Sequence, residues 1–126
     1  MMILDTCALL WLASGDSQLS AATRSAIKNA SMVHVSAITG FEIALKCRSG
    51  KLELPAAPRE WFAETLAHHD LTSMPLDMES CIEAAQLPPI HNDPCDRFII
   101  AIARKNNWPV VTADAIFPKY GVEVLI

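Results

Sequence analysis

Apolar runs of strand length alternate with segments in which apolar residues recur at helical spacing, and this alternation continues along the whole chain. Such a pattern is typical of an α/β fold built on a parallel sheet. The apolar runs predict about five strands, the third of them weak, at residues 1–4, 32–35, 71–76, 110–113 and 122–126. The helical spacing predicts six helices, at residues 7–13, 21–30, 37–49, 58–69, 78–86 and 94–106. A short turn or helix is expected at residues 116–120.

The helix predicted at residues 37–49 should contribute an apolar stripe to the core. Ile38, Phe41 and Leu45 are separated by three and four residues, which predicts that they lie on one face. Glu42 lies beside that stripe, and burying an unpaired carboxylate there would cost several kcal/mol. Two explanations for Glu42 stay open. It forms an ordinary ion pair with Lys46 one turn later, or it belongs to a catalytic site.

The length and the net charge limit the classes of function. With 126 residues, the chain fits one domain that spans residues 1–126. Ten Lys and Arg residues against 14 Asp and Glu residues give a net charge of −4, which does not indicate a nucleic-acid binder as a basic pI would. A carboxylate cluster that holds a metal ion adds negative charge that the ion neutralises. The bare count therefore overstates the repulsion of phosphate.

The cysteines and the apolar stretches bear on the cellular compartment. Cys7, Cys47, Cys81 and Cys95 are far apart and form no Cys-x-x-Cys pair, so we expect reduced core thiols. The longest apolar stretch, residues 7–13, is too short to span a bilayer. A signal peptide would have a basic residue before its apolar run, and none precedes the apolar start of this chain. We therefore expect a cytoplasmic protein without a membrane segment.

Four carboxylates are predicted to meet at one edge of the sheet. Asp5 and Asp114 each follow a predicted buried strand, and active sites of open α/β sheets lie at the carboxyl ends of the strands. Glu42 and Asp96 lie on helices that should begin at the same edge. A set of oxygen ligands of this kind indicates a divalent metal site.

Simpler explanations exist for several of these residues. A strand-terminal Asp such as Asp5 or Asp114 often only caps the next helix. Asp93 is expected to be the N-cap of the helix at residues 94–106, whereas Asp96 projects from its first turn, so we assign metal binding to Asp96. His91 could join Asp93 in a ligand set, but a lone loop histidine is more often a hydrogen-bonding or substrate-contact residue. We do not assign it as a ligand.

Together these segments resemble the PIN domain family and, more narrowly, VapC-type toxins, the ribonuclease halves of prokaryotic toxin–antitoxin pairs. The resemblance covers nearly the whole chain and is carried by residues 4–11, 35–38, 41–46, 50–52, 91–97 and 111–114, with Phe117 after them. Two positions depart from the family pattern, since Cys95 replaces a usual aromatic residue and Gly40 replaces a bulky one. Neither departure removes a carboxylate, so both concern local packing and substrate fit.

The resemblance implies a three-layer PIN-like architecture, with the parallel sheet sandwiched by helices, and a metal-dependent endoribonuclease. It implies that Asp5, Glu42, Asp96 and Asp114 hold one or two Mg²⁺ or Mn²⁺ ions and hydrolyse RNA phosphodiester bonds. Thr6 and Thr112 are expected to hydrogen-bond these carboxylates. Further residues are expected at the edge of the site or as phosphate contacts: Asp93, Arg97, Lys46, Arg48 and Lys51.

The resemblance also implies partners, namely an RNA substrate, a second copy of the chain in a homodimer, and a VapB-like antitoxin whose C-terminal segment covers the acidic pocket. Two other enzyme classes fit poorly. Aspartyl-phosphate phosphatases need a second Asp where Cys7 stands, and receiver domains need an early pair of acids that this chain lacks. The remaining alternative is a catalytically inactive PIN-like scaffold that binds RNA or protein. Such scaffolds arise when the acids are lost, and here all four are present.

Overall fold

The computed structural model describes residues 1–126, and its elements alternate as the sequence pattern predicts. The strands are β1 (Met2–Leu4), β2 (Val33–Ser36), β3 (Leu71–Met74), β4 (Val110–Val111) and β5 (Val124–Leu125). The helices are α1 (Thr6–Ser14), α2 (Ala21–Asn29), α3 (Ala37–Arg48), α4 (Pro58–His68), α5 (Met78–Gln86) and α6 (Pro94–Asn106), followed by a 3₁₀ helix, Phe117–Tyr120. Every predicted element is present, although every strand except β2 is shorter than predicted.

All five strands are parallel and lie in the order β3-β2-β1-β4-β5. The central strand β1 pairs on both sides, since Ile3 lies opposite His34 of β2 and opposite Val110 of β4. Parallel pairing brings the carboxyl ends of neighbouring strands to the same edge of the sheet. The segments that follow β1, β2 and β4 therefore leave the sheet side by side, and this edge is the one that carries the acids.

The side chains of β1 divide the core into two layers, because successive residues of a strand point to opposite faces of the sheet. Met2 and Leu4 pack in a cluster that includes Trp61 of α4 together with residues of α1 and α2. Ile3 packs in a second cluster, with Phe117 and the apolar residues of α6. The sheet thus lies between two helical layers, which confirms the predicted α/β sandwich.

The apolar stripe predicted on α3 is wrong at two of its three positions. Ile38 is buried, but Phe41 is 59% exposed and Leu45 is 49% exposed. Thr39 and Ile43 are the residues that α3 buries alongside Ile38. The helix is apolar around most of its circumference, so the spacing of apolar residues could not identify the face that packs on the sheet.

The cysteines are free, as predicted, but they are not core residues. Cys7 is exposed, and the other three are half-buried. Among the helices, none combines the length and the apolarity that crossing a membrane would require.

A candidate metal centre at the carboxyl edge of the sheet

A cavity of about 200 Å³ opens at the carboxyl edge of the sheet and is lined by carboxylates from separate segments. Asp5 follows β1, Glu42 lies on α3 after β2, Asp96 lies in the first turn of α6, and Asp114 follows β4. The residues that line the cavity are Asp5, Thr6, Cys7, Trp11, Glu42, Lys46, Asp93, Asp96, Ala113 and Asp114. The structure therefore brings the four predicted acids together.

Asp5 is both a helix cap and a member of the acidic cluster. Its Oδ1 accepts a hydrogen bond from the backbone N–H of Ala8 at 2.8 Å, which caps α1, and its Oδ2 accepts one from Thr112 Oγ1 at 2.5 Å. Burial raises the pKa of the Asp5 carboxyl; these two hydrogen bonds oppose the shift, and the charges of Asp114 and Glu42 add to it. The two interpretations offered for Asp5 are thus compatible.

Glu42 is held from two sides at the wall of the cavity. Thr6 Oγ1 donates to Glu42 Oε1 at 2.7 Å, and Lys46 Nζ donates to Oε2 at 3.0 Å. Because the proton of Thr6 is used in this bond, the hydroxyl of the fully buried Thr39, 3.1 Å away, donates to Thr6. The hydrogen bond to Glu42 raises the pKa of Lys46. The predicted ion pair therefore exists, and it lies within the acidic cavity.

Asp93 and Asp96 have the separate positions that the sequence predicts. Asp93 Oδ1 caps α6 by accepting the backbone N–H groups of Cys95 at 2.8 Å and Asp96 at 3.3 Å. Asp96 projects into the cavity, where burial raises the pKa of its carboxyl to about 7. The charge of Asp93 raises this pKa further and His91 opposes the rise. A carboxylate in such surroundings is more stable beside a cation.

His91 lies between two of the acids, a position that the sequence did not indicate. Its Nε2 is 2.8 Å from Oδ2 of Asp114 and 3.1 Å from Oδ2 of Asp96, and one ligand-type atom from each of the three residues lies within 4.8 Å of the others. The only local signal was the place of His91 two residues before the capping Asp93. Thr39 was also missed, because a Thr in an apolar helix carries no sign of its partner.

The prediction for Arg97 as a phosphate contact is wrong. Its guanidinium has five N–H groups, and the structure directs them at five backbone carbonyl oxygens. These carbonyls belong to Ala84, Ala85, Leu87, Pro88 and His91. Arg97 thus holds the segment between α5 and α6 in place. Arg48 and Lys51 do not line the cavity, so Lys46 is the basic residue at its wall.

The donor atoms fit a hard divalent cation. Carboxylate oxygens are the ligands that Mg²⁺ and Mn²⁺ prefer. Two thiols lie close by, but burial raises the pKa of Cys95 to about 11 and also raises that of Cys7, so both stay protonated at neutral pH. A protonated thiol is a poor metal ligand, since the thiolate is the form that binds metals. The cavity therefore favours oxygen coordination over a thiophilic metal.

Comparisons with known proteins identify the family and the fold. The sequence matches the PIN domain family over residues 2–123. It is 30% identical over 114 residues to Ribonuclease VapC22 of Mycobacterium tuberculosis, covering 90% of this chain and 86% of that protein. The fold is similar to FitAcB from Neisseria gonorrhoeae, with 22% identity, a TM-score of 0.68 and coverage of 100% of this chain and 97% of the other. It is also similar to FitAB bound to an IR36 DNA fragment, with 20% identity, a TM-score of 0.68 and coverage of 99% and 94%. This chain belongs to the PIN domain family.

Proposed function

We propose that this chain, as one PIN domain over residues 1–126, is a metal-dependent endoribonuclease and the toxin component of a VapBC-type toxin–antitoxin pair. The single observation that carries the proposal is the convergence of Asp5, Glu42, Asp96 and Asp114 around one cavity. The similarity of this chain to a protein named as a VapC ribonuclease supports RNA as the substrate class.

Asp5, Glu42, Asp96 and Asp114 would hold one or two Mg²⁺ or Mn²⁺ ions. When bound, such an ion acts as a Lewis acid that makes water a better nucleophile at neutral pH and offsets negative charge at the phosphate. The raised pKa values of Asp5 and Asp96 support this assignment, because crowded acids ionise more readily beside a cation.

The remaining side chains of the cavity orient these ligands. Thr112 and the N–H of Ala8 fix both oxygens of Asp5, which leaves its outward lone pairs free for coordination. Thr6 fixes one oxygen of Glu42, and Lys46 binds the other. The side chain of Lys46 is 42% exposed at the wall, where its ammonium group can bind a substrate phosphate while it stays paired with Glu42.

The proposed partners follow from the same site. An RNA strand would present its phosphates to the cavity, and a VapB-like antitoxin would silence the enzyme by covering the acids. A homodimer is proposed as the working form. The second candidate function is a PIN-like scaffold that binds RNA or protein without cleavage. The presence of four acids around one cavity disfavours it.

The test is RNA cleavage by the purified chain with Mg²⁺ or Mn²⁺, with and without EDTA. We expect Asp5→Asn and Asp96→Asn each to reduce cleavage by at least about 100-fold, because each removes a ligand charge that supports metal catalysis. The matched control is Asp70→Asn, the same change of charge at an exposed residue that directly precedes β3 at the opposite edge of the sheet.

The outcome that contradicts the metal assignment is cleavage that survives both substitutions or that EDTA leaves unchanged. RNA binding without any cleavage by the parent protein would favour the scaffold instead.

A further inference from the structure

His91 forms a contact through each of its ring nitrogens, and these contacts determine where its proton lies. The backbone N–H of Asp93 donates to Nδ1 at 3.1 Å, so Nδ1 must offer a lone pair. The proton is then on Nε2, which lies 2.8 Å from Oδ2 of Asp114. The hydrogen-bond network therefore selects the neutral Nε2–H tautomer.

This tautomer decides what His91 can do beside the acids. A nitrogen that carries a proton has no lone pair in the ring plane, so Nε2 cannot coordinate a cation in this arrangement. Its N–H instead donates to Asp114, and Oδ2 of Asp96 lies 3.1 Å from the same nitrogen. One donor thus lies between two like charges and reduces their repulsion.

The backbone on either side of His91 is anchored, so the ring has little freedom to turn away. The backbone N–H of His91 donates to the hydroxyl of Tyr120 at 2.7 Å, and that hydroxyl donates to the carbonyl of Pro88 at 2.7 Å. Arg97 binds the carbonyl of His91 itself at 3.1 Å. His91 is 8% exposed, and its ring contacts the buried Phe117 edge to face. Such support is what a residue that orients ligands needs.

We propose that His91 is a positioning residue that holds Asp114 beside Asp96 at the spacing required for a divalent cation, by donating Nε2–H to Asp114 with Asp96 close to the same nitrogen, without ligating the cation itself. The inference rests on the proposed function only for the presence of that cation. The segment between α5 and α6 holds His91 in place, and Arg97 and Tyr120 support that segment.

The first experiment measures Mg²⁺ and Mn²⁺ binding by calorimetry for the parent, His91→Ala and His91→Gln. We expect His91→Ala to weaken binding about 10- to 100-fold, the usual effect of losing a partner of a ligand. His91→Gln retains a side-chain N–H donor at similar reach and should recover most of the affinity. Circular dichroism confirms that each variant is folded. Unchanged affinity in His91→Ala, or a His91→Gln variant as weak as His91→Ala, overturns the inference.

The second experiment determines the tautomer of His91 directly in the parent protein. Two-dimensional ¹H–¹⁵N spectra of the histidine rings, recorded on the parent without metal and with saturating Mg²⁺, report which nitrogen carries the proton. We expect Nε2 to be protonated and Nδ1 unprotonated in both states, with His91→Gln used to assign the signals. A proton on Nδ1 together with an unprotonated Nε2 in the Mg²⁺-loaded protein would mean that Nε2 coordinates the ion, which overturns the inference.

Failure of this inference and failure of the proposed function are distinguishable, because RNA cleavage by the parent is measured in parallel. A parent that binds Mg²⁺ with the expected tautomer but cuts no RNA refutes the ribonuclease function and supports the role of His91. A parent that cuts RNA while His91→Ala binds Mg²⁺ normally refutes the role of His91 alone.

Discussion

Two histidines of this protein are almost equally buried and have opposite surroundings. His34 on β2 is 5% exposed, neither of its ring nitrogens has a hydrogen-bond partner, and its ring stacks on Trp108 with centroids 4.0 Å apart. His91 is 8% exposed, and both of its ring nitrogens have partners. Burial lowers the pKa of His34, with a contribution from the amino terminus.

The difference shows that burial alone does not distinguish a packing residue from a site residue. His34 serves as a flat ring between the sheet and Trp108, which follows α6, and we expect its loss to affect stability. His91 serves as a directed donor, and we expect its loss to affect the acids around it. The two roles are distinguished by whether the ring nitrogens have hydrogen-bond partners.

The largest expected effect is a loss of stability in the variant His34→Ala. His34→Ala should lower the free energy of unfolding by about 2 to 4 kcal/mol, because it removes the stacked ring and leaves a cavity. Its Mg²⁺ affinity should change less than about threefold, since distant sites act independently. Urea unfolding and calorimetry measure the two quantities.

The control for that variant is His68→Ala, which removes an exposed histidine on α4. A His34→Ala protein that unfolds like the parent, or that loses Mg²⁺ affinity as His91→Ala is expected to, would contradict the separation of the two roles.

A second variant sharpens the comparison by loosening the support of His91. Arg97→Lys replaces five N–H donors with at most three, so at least two backbone carbonyls lose a partner. We expect a loss of about 1 to 3 kcal/mol in unfolding free energy and a weaker affinity for Mg²⁺, smaller than the effect of His91→Ala. Thermal unfolding and calorimetry report the two effects.

Arg59→Lys, at an exposed position of α4, is the matched control for Arg97→Lys. Should Arg97→Lys match Arg59→Lys in both measurements, the guanidinium would not be the support that the structure indicates.

The smallest expected effect concerns the pH dependence of stability without metal. The pKa of Asp96 is about 7 in the folded protein against an ordinary value of 3.8, so the folded state binds this proton more tightly than the unfolded chain does. Stability should therefore fall as pH rises from about 4 to about 7. Asp96→Asn removes this loss, and we expect it to gain about 1 to 2 kcal/mol relative to the parent near pH 8, after allowance for solvent screening.

Thermal unfolding in EDTA at about pH 5 and about pH 8 measures this pH dependence. Asp70→Asn serves as the control of equal charge change, and saturating Mg²⁺ should remove the destabilisation of the parent. If Asp96→Asn and the parent showed the same pH dependence of stability, the pKa of Asp96 would not be raised in the folded protein.

The order of the elements could be predicted from local pattern, because strand and helix periods and capping residues act over a few positions. Asp93 caps the helix that follows it, as the sequence predicts. The meeting of Asp5 and Asp114 could be anticipated for a related reason, since parallel strands end at one edge.

The errors have a common physical origin in contacts between distant parts of the chain. Phe41 and Leu45 satisfy helical spacing, yet α3 buries Thr39, whose hydroxyl pairs with Thr6, 33 residues earlier. Arginine is a residue type that often binds phosphate, yet the N–H groups of Arg97 donate to backbone carbonyls of the preceding segment. Local pattern contains no information about either partner.

The amino-acid sequence by itself determined the α/β architecture and the acidic edge, because periodicity and strand ends are short-range properties of the chain. The tertiary structure alone determined which polar atoms pair within that edge. Thr112 reaches Asp5 across 107 residues, and His91 reaches Asp114 across 23. Such pairs depend on directional contacts of about 3 Å, which form only when folding has placed distant segments side by side.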